Sequence, residues 1–256
     1  MIPSFSNSFN GTIYRIDTHH HITTYATMKG KPAGIVALPN GRFLLNGWNE
    51  TGTATLFLLD SNRQITPLLQ PAGALFFNGM IAVDDDHFLI CDSYKGCIWE
   101  YQLSANNARV WLEHTLLARA DDTGAMPAAN GMQLHRQTLF VSNTDKKLLL
   151  AIPVNANTGE PVVYMDNLNL DDFAIDNNGT IYATTHIYNS VLKISSDKHV
   201  TVIGTATQGF AGSTSARFGK TDHDGHYIYV TTNGGMSLPL PGGSQHGRVI
   251  RINVKP

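Results

Sequence analysis

Thr138-Leu139-Phe140-Val141-Ser142-Asn143-Thr144 is an apolar run that ends in small polar residues, and the chain uses that pattern five times. The other copies occupy residues 42–48, 87–93, 180–186 and 227–233. Their starts at 42, 87, 138, 180 and 227 differ by 45, 51, 42 and 47 residues. Four of the five follow a turn rich in Asn, Asp or Gly, such as Asn177-Asn178-Gly179 and Asp222-His223-Asp224-Gly225. Such residues supply the positive φ of tight hairpins. A second apolar run follows each copy, at residues 54–60, 96–101, 147–152, 190–194 and 247–254, and a sixth lies at 11–17. Several of these alternate apolar and polar residues, the signature of a half-buried strand. Short strands that repeat about every 45 residues describe the four-stranded blades of a β-propeller. Helical periodicity is confined to one candidate, residues 108–120, which argues against an α/β layout.

The second run occurs six times and the first only five, and ten residues precede the N-terminal copy. The N-terminus is shortened, or its strands complete the last blade and give about five, or a partner subunit fills the gap. We expect an all-β, six-bladed propeller of four-stranded antiparallel blades with an incomplete first blade, in a single domain over residues 1–256.

Composition narrows the function. Hydrophobic residues make up 42 % of the 256 and charged residues 15 %, the balance of an ordered globular chain. A net charge of −2 offers no basic stripe for phosphates, so neither nucleic acid nor an anionic membrane is an expected partner. No apolar run reaches the roughly 18 residues of a membrane helix. Residues 1–10 lack the apolar core of a signal peptide, which predicts a cytoplasmic protein as written, or a secreted or periplasmic one if the N-terminus is trimmed. Cys91 and Cys97 read as strand thiols, with a disulfide open to them in an oxidising compartment. The sequence does not set an oligomeric state.

A propeller gathers the first strands of its blades around the channel. Asn78-Gly79, Asn130-Gly131 and Asp171-Asp172 each precede the next strand of their blade by eight or nine residues (87 − 78, 138 − 130, 180 − 171). Matched register places Asn78, Asn130 and Asp171 at equivalent positions, and amide oxygens with a carboxylate suit a hard cation such as Ca²⁺. Asn before Gly is also ordinary turn chemistry. His186, at the end of a second-type strand, is a candidate general base or a hydrogen-bonded structural residue. Trp48, Phe76, Phe77 and Tyr188 could wall an apolar pocket or pack between blades. His19-His20-His21 reads as an exposed connection. There is neither a Gly-x-Ser-x-Gly elbow nor a phosphate loop of Walker type.

With Phe77-Asn78-Gly79-Met80, Asn130-Gly131-Met132, residues 139–144 and residues 171–176, the sequence resembles the SMP-30/gluconolactonase-like propellers, a superfamily of calcium-dependent lactonases and phosphotriesterases. Residues 212–219 and 229–235 suggest a divergent subgroup of uncharacterised proteins. The resemblance implies six blades and a divalent ion held by a first-blade Glu, middle-blade Asn residues and a later Asp. Asn78, Asn130 and Asp171 would be those ligands, with Asp171 also acting as base or nucleophile. Asn143, Ser213 and Asn233, in the stretches that carry the likeness, and Trp48 would contact a small-molecule substrate. The departure is the Glu: residues 32–37 hold no acid, which removes charge from a calcium site. Metal-assisted hydrolysis of a small ester or lactone is the function this implies. Two readings stand against it: a metal-independent cyclase or isomerase that works by shape and hydrogen bonding, and a propeller that only binds a small molecule.

Overall fold

A computed structural model describes residues 1–5, 9–121, 123–154 and 159–255. The chain divides into two units, residues 1–118 and 119–256. The first unit holds strands β1 (Ile2–Phe5), β2 (Asn10–Ile16), β3 (Ile22–Ala37), β4 (Phe43–Asn49), β5 (Ala54–Leu59) and β6 (Ile65–Leu69) in one antiparallel sheet. A second sheet contains β7 (Phe77–Ala82), β8 (His87–Asp92), β9 (Cys97–Gln102) and β10 (Asn107–Glu113). In the second unit β11 (Ala129–His135), β12 (Thr138–Asn143), β13 (Leu148–Pro153) and β14 (Val162–Met165) form one sheet. The next contains β15 (Phe173–Ile175), β16 (Ile181–Thr184), β17 (Ser190–Ile194) and β18 (Val200–Thr205). The last contains β19 (Ser213–Phe218), β20 (Tyr227–Thr232) and β21 (Val249–Asn253).

Each first-type run forms a strand (β4, β8, β12, β16, β20) that pairs with the second-type run after it (β5, β9, β13, β17, β21). In the four later sheets these are the second and third strands, and in the first sheet the fourth and fifth. Residues 107–113 are strand β10, so the one helical candidate is absent. The blade count is corrected: the described residues form five sheets, not six, with no separate incomplete first blade among them. The reason lies in β3, whose sixteen residues pair with β2 in their first half and with β4 in their second. Through it β1 and β2 continue the first sheet, and Ile13 and Ala26 pack with Leu45, Phe57 and Leu59.

The apolar runs are continuous because both faces of a blade are covered. In β16, Ile181 and Ala183 join one core with Leu149, Leu170 and Phe173. Tyr182, between them, joins another with Phe210, Ile228 and Val230. Period two therefore sends alternate residues of one strand into two cores. Cys91 lies opposite Ile98 and Cys97 opposite Asp92, so the two buried thiols leave opposite faces of their sheet and are not placed to form a disulfide. Burial pushes the Cys97 thiol up to about 12, which keeps it protonated and unreactive.

Four strands, β3, β7, β11 and β19, carry a register shift against the repeated run that follows them, at Pro32/Gly34, Phe77/Met80, Ala129/Met132 and Ser213/Ser215. These bulges turn backbone groups out of the ladder, and a small polar residue ending the second strand receives them. Fully buried Asn46 accepts from Gly34 N–H at 2.8 Å and donates to the Asn78 carbonyl at 2.9 Å. Ser142 Oγ does the same in the second unit, accepting from Gly131 N–H at 2.9 Å and donating to the Asp171 carbonyl at 2.7 Å. The polar ends of the repeated runs thus stitch one blade to the next.

Candidate active site

Asn130 and Asp171 occupy the same point of successive blades in the second unit. Asn130 sits in the β11 bulge and Asp171 just before β15, where its N–H donates to the Thr184 carbonyl at 2.8 Å. Gly131 N–H reaches the Asp171 carbonyl at 3.0 Å. A side chain at Gly131 would put its Cβ 2.6 Å from Asp172 Cα, so only glycine permits this approach. The Asn130 side chain, 2 % exposed, places Nδ2 2.9 Å from Thr144 Oγ1 and 2.6 Å from Asp171 Oδ1. The Thr144 hydroxyl donates to the Leu170 carbonyl at 2.7 Å, so it must accept from Asn130. That fixes the amide: its nitrogen, not its oxygen, faces Asp171.

On the other side of the carboxylate stands His186. It follows β16 in a short 3₁₀ turn (His186–Tyr188) and has a positive φ of 35°, a conformation costly for a residue with a Cβ. His186 Nδ1 lies 3.4 Å from Asp171 Oδ2, and the two side chains are 20 % and 13 % exposed. Nε2 lies 2.8 Å from Asn233 Nδ2 and 3.2 Å from Ser237 Oγ. Asn233 Oδ1 accepts from Gly235 N–H and Met236 N–H, both at 3.0 Å, so its nitrogen faces the ring. Asn233 therefore donates to Nε2, and the imidazole carries its proton on Nδ1, toward Asp171. Burial holds His186 below the ordinary histidine range, which favours the neutral ring. Burial, reinforced by the negative charge of Asp172, pushes Asp171 up to about 8, against the opposing hydrogen bond from Asn130. Asp172 itself is clamped by Ser215 and by Arg217, whose Nη1 lies 2.6 Å from Oδ2, while its buried Oδ1 has no hydrogen-bond partner among the described residues.

The second unit thus brings together four of the residues read from sequence: Asn130, Asp171, His186 and Asn233. Asn143 is buried and accepts from Lys146 N–H at 3.0 Å. Ser213 is buried with its hydroxyl donating to the Ser190 carbonyl at 2.7 Å. Both are engaged by the protein's own groups. In the first unit, Asn78 is half-buried and donates to Ser93 Oγ at 3.2 Å. Trp48 stacks on Phe76 with ring centroids 4.3 Å apart and donates Nε1–H to the Leu75 carbonyl at 2.9 Å. Phe77 is core, and Tyr188 is 55 % exposed. Residues 19–21 lie on an exposed turn whose N–H groups at His19 and His21 donate to Asp17. Ser237 and Thr144 went unread in the sequence. Thr144 had a signal, its place at the polar end of a repeated run; Ser237 had none.

The residues do not fit a calcium ion. A calcium site needs several oxygens converging on one point. Here Asn130 and Asp171 are bonded to each other, and N–H donors of Asn130 and His186 face the two carboxylate oxygens. Among the described residues no three His, Cys, Asp or Glu side chains cluster as metal ligands.

No protein-family model matches the chain. A protein of Sarocladium schorii, provisionally named as a hetero-Diels-Alderase, asR5, is 25 % identical over 197 residues, 64 % of this chain and 48 % of its own length. The chain thus spans about half the length of that relative. Among solved structures, a calcium-binding regucalcin from Agrobacterium tumefaciens is similar with a TM-score of 0.68 at 15 % identity, covering 98 % of this chain and 88 % of its own. A gluconolactonase from Xanthomonas campestris gives 0.63 at 14 %, covering 86 % and 75 %. Virginiamycin B lyase from Staphylococcus aureus, solved with quinupristin, gives 0.59 at 14 %, covering 89 % and 75 %. These likenesses show the fold: an all-β propeller of four-stranded antiparallel blades, shared with SMP-30 and gluconolactonase-type proteins.

Proposed function

We propose that the chain is a hydrolase of a small ester or lactone that works without a resident metal ion, with His186 as general base and Asp171 as the residue that orients it. The observation that carries this is the tautomer of His186. An imidazole that turns its Nδ1–H toward a carboxylate and accepts at Nε2 can take a proton from a nucleophile that displaces the Asn233 amide there. Proton transfer to Nε2 makes an imidazolium, which ionised Asp171 stabilises at 3.4 Å. Asn130 and Gly131 hold Asp171 from behind, so the carboxylate is positioned before substrate arrives. Calcium enters no step, because the donors around Asp171 are N–H groups.

The test is hydrolysis of a panel of aryl esters and lactones by metal-stripped protein, with calcium calorimetry alongside. Activity that survives chelation and falls at least about 100-fold in His186→Gln supports the reading. Activity restored only by Ca²⁺, or calcium binding that Asp171→Asn abolishes, sinks it.

A second reading has its own observation, the likeness to the Sarocladium protein together with an Asp171 held up near pH 8. A neutral buried carboxyl group can donate a hydrogen bond to a substrate carbonyl, and bound reactants then cyclise by positioning. This reading needs neither a nucleophile nor a proton on Nε2.

A further inference from the structure

The turn that follows β20 brings a hydroxyl to the same nitrogen of the His186 ring that accepts from Asn233. Ser237 is exposed, and its Oγ lies 3.2 Å from His186 Nε2. Since Nε2 carries no proton, the hydroxyl donates to it and shares its one lone pair with Asn233 Nδ2. Asp171 Oδ2 thus lies against Nδ1 and Ser237 Oγ against Nε2 of one ring, the order of acid, base and nucleophile that triads adopt on unrelated folds. The serine is held from both sides. Asn233 Oδ1 fixes the preceding residues through Gly235 and Met236 N–H, and Asn189 Nδ2 reaches the Leu238 carbonyl at 3.5 Å. Asn233 therefore places the ring with one end of its amide and the serine's turn with the other.

We infer that Ser237 is a covalent nucleophile toward acyl groups, an inference that rests on the hydrolase reading above. Ser237 Oγ attacks the ester or lactone carbonyl carbon and its proton passes to Nε2. The new C–O bond forms as the bond to the leaving oxygen breaks, and that oxygen departs with the electron pair and takes the proton from Nε2. Water then gives a proton to Nε2 and its oxygen attacks the acyl carbon. Ser237 Oγ leaves with its electron pair and recovers the proton. The balance is ester plus water to acid plus alcohol, or lactone plus water to hydroxy acid.

The probe is an alkyl fluorophosphonate, read by intact mass and by peptide mapping. We expect one adduct on wild type, located at Ser237, absent in Ser237→Ala and formed at least about 100-fold more slowly in His186→Gln. Ser237 is exposed, so Ser237→Ala should melt with wild type, which a thermal scan checks. No adduct on wild type, or an adduct that Ser237→Ala retains, overturns the inference. Ester hydrolysis at the wild-type rate in Ser237→Ala overturns it too but leaves His186 acting on water, so the hydrolase reading stands. A Ser237 adduct on a protein with no esterase or lactonase activity separates them the other way.

Discussion

Asn233 Nδ2 lies 2.8 Å from His186 Nε2, and because its Oδ1 is committed to two backbone N–H groups, the amide can only donate. One side chain from the end of β20 therefore decides where the proton of a histidine beyond β16 resides. Asn233→Asp reverses that instruction. A carboxylate against Nε2 favours the imidazolium, raises the His186 pKa and removes the lone pair a base needs. Proton-coupled ¹⁵N spectra should show Nδ1–H with bare Nε2 in wild type and two N–H groups in the variant near neutral pH. Activity should fall about 100-fold or more. A wild-type ring protonated on Nε2 would refute the tautomer.

Gly212→Ala should disturb the same relationship from beneath. Gly212 has φ +62°, and a Cβ there would overlap Asn233 Oδ1. The left-handed backbone alone costs about 1–2 kcal/mol for alanine. The displaced amide should also loosen Nε2, so we expect a lower melting temperature together with a loss of turnover exceeding about tenfold. An active Gly212→Ala protein of wild-type stability would show that Asn233 is not held as described.

Asn46 tests the stitching of blades without touching the candidate site. Asn46→Ala strands the half-buried Gly34 N–H and Asn78 carbonyl. Each lost partner costs about 1–3 kcal/mol, so we expect a destabilisation of about 2–5 kcal/mol in urea unfolding. Asn46→Asp keeps the acceptor for Gly34 but sets a carboxylate against a carbonyl, and should fare no better. A change below about 0.5 kcal/mol would mean that the bulge groups find water instead.

The blades were legible because their signal is local. Residues 138–144 and their copies are apolar runs, four of the five with turn residues before them, and every copy became a strand paired with the second-type run after it. The blade count was less legible, because it depends on what β3 pairs with, and sixteen consecutive strand residues in one sequence do not announce a change of partner at their midpoint. Register also placed Asn130 and Asp171 at matching points, since eight- and nine-residue offsets are a backbone property. It could not say which atom of an amide faces the carboxylate. That turns on Thr144 donating to Leu170, a bond between residues 26 apart. Ser237 was invisible for a similar reason: an isolated serine becomes meaningful only when a turn lays it against a ring 51 residues away.

Acidity offers a test that also separates the two functional readings. Asp171 is pushed up to about 8 from an ordinary 3.8, so the folded state binds its proton more tightly than the unfolded chain. Its contribution to stability is complete below about pH 4 and is lost as pH rises through about 8. His186 is shifted down from 6.5 and acts the other way: its contribution is present above that value and is lost as pH falls below it. Between about pH 6.5 and 8 Asp171 alone of the pair has a slope, at most about 1.4 kcal/mol per pH unit. Urea midpoints of wild type should fall with rising pH across that window relative to Asp171→Asn, which lacks the titration. Parallel curves would remove Asp171 from the argument. Turnover then reports which form works. Hydrolysis through His186 needs the ionised carboxylate, so its kcat should climb with an inflection near pH 8. Cyclisation assisted by the neutral acid should decline through the same inflection. A profile flat across pH 7–9 in both assays would leave Asp171 with neither role.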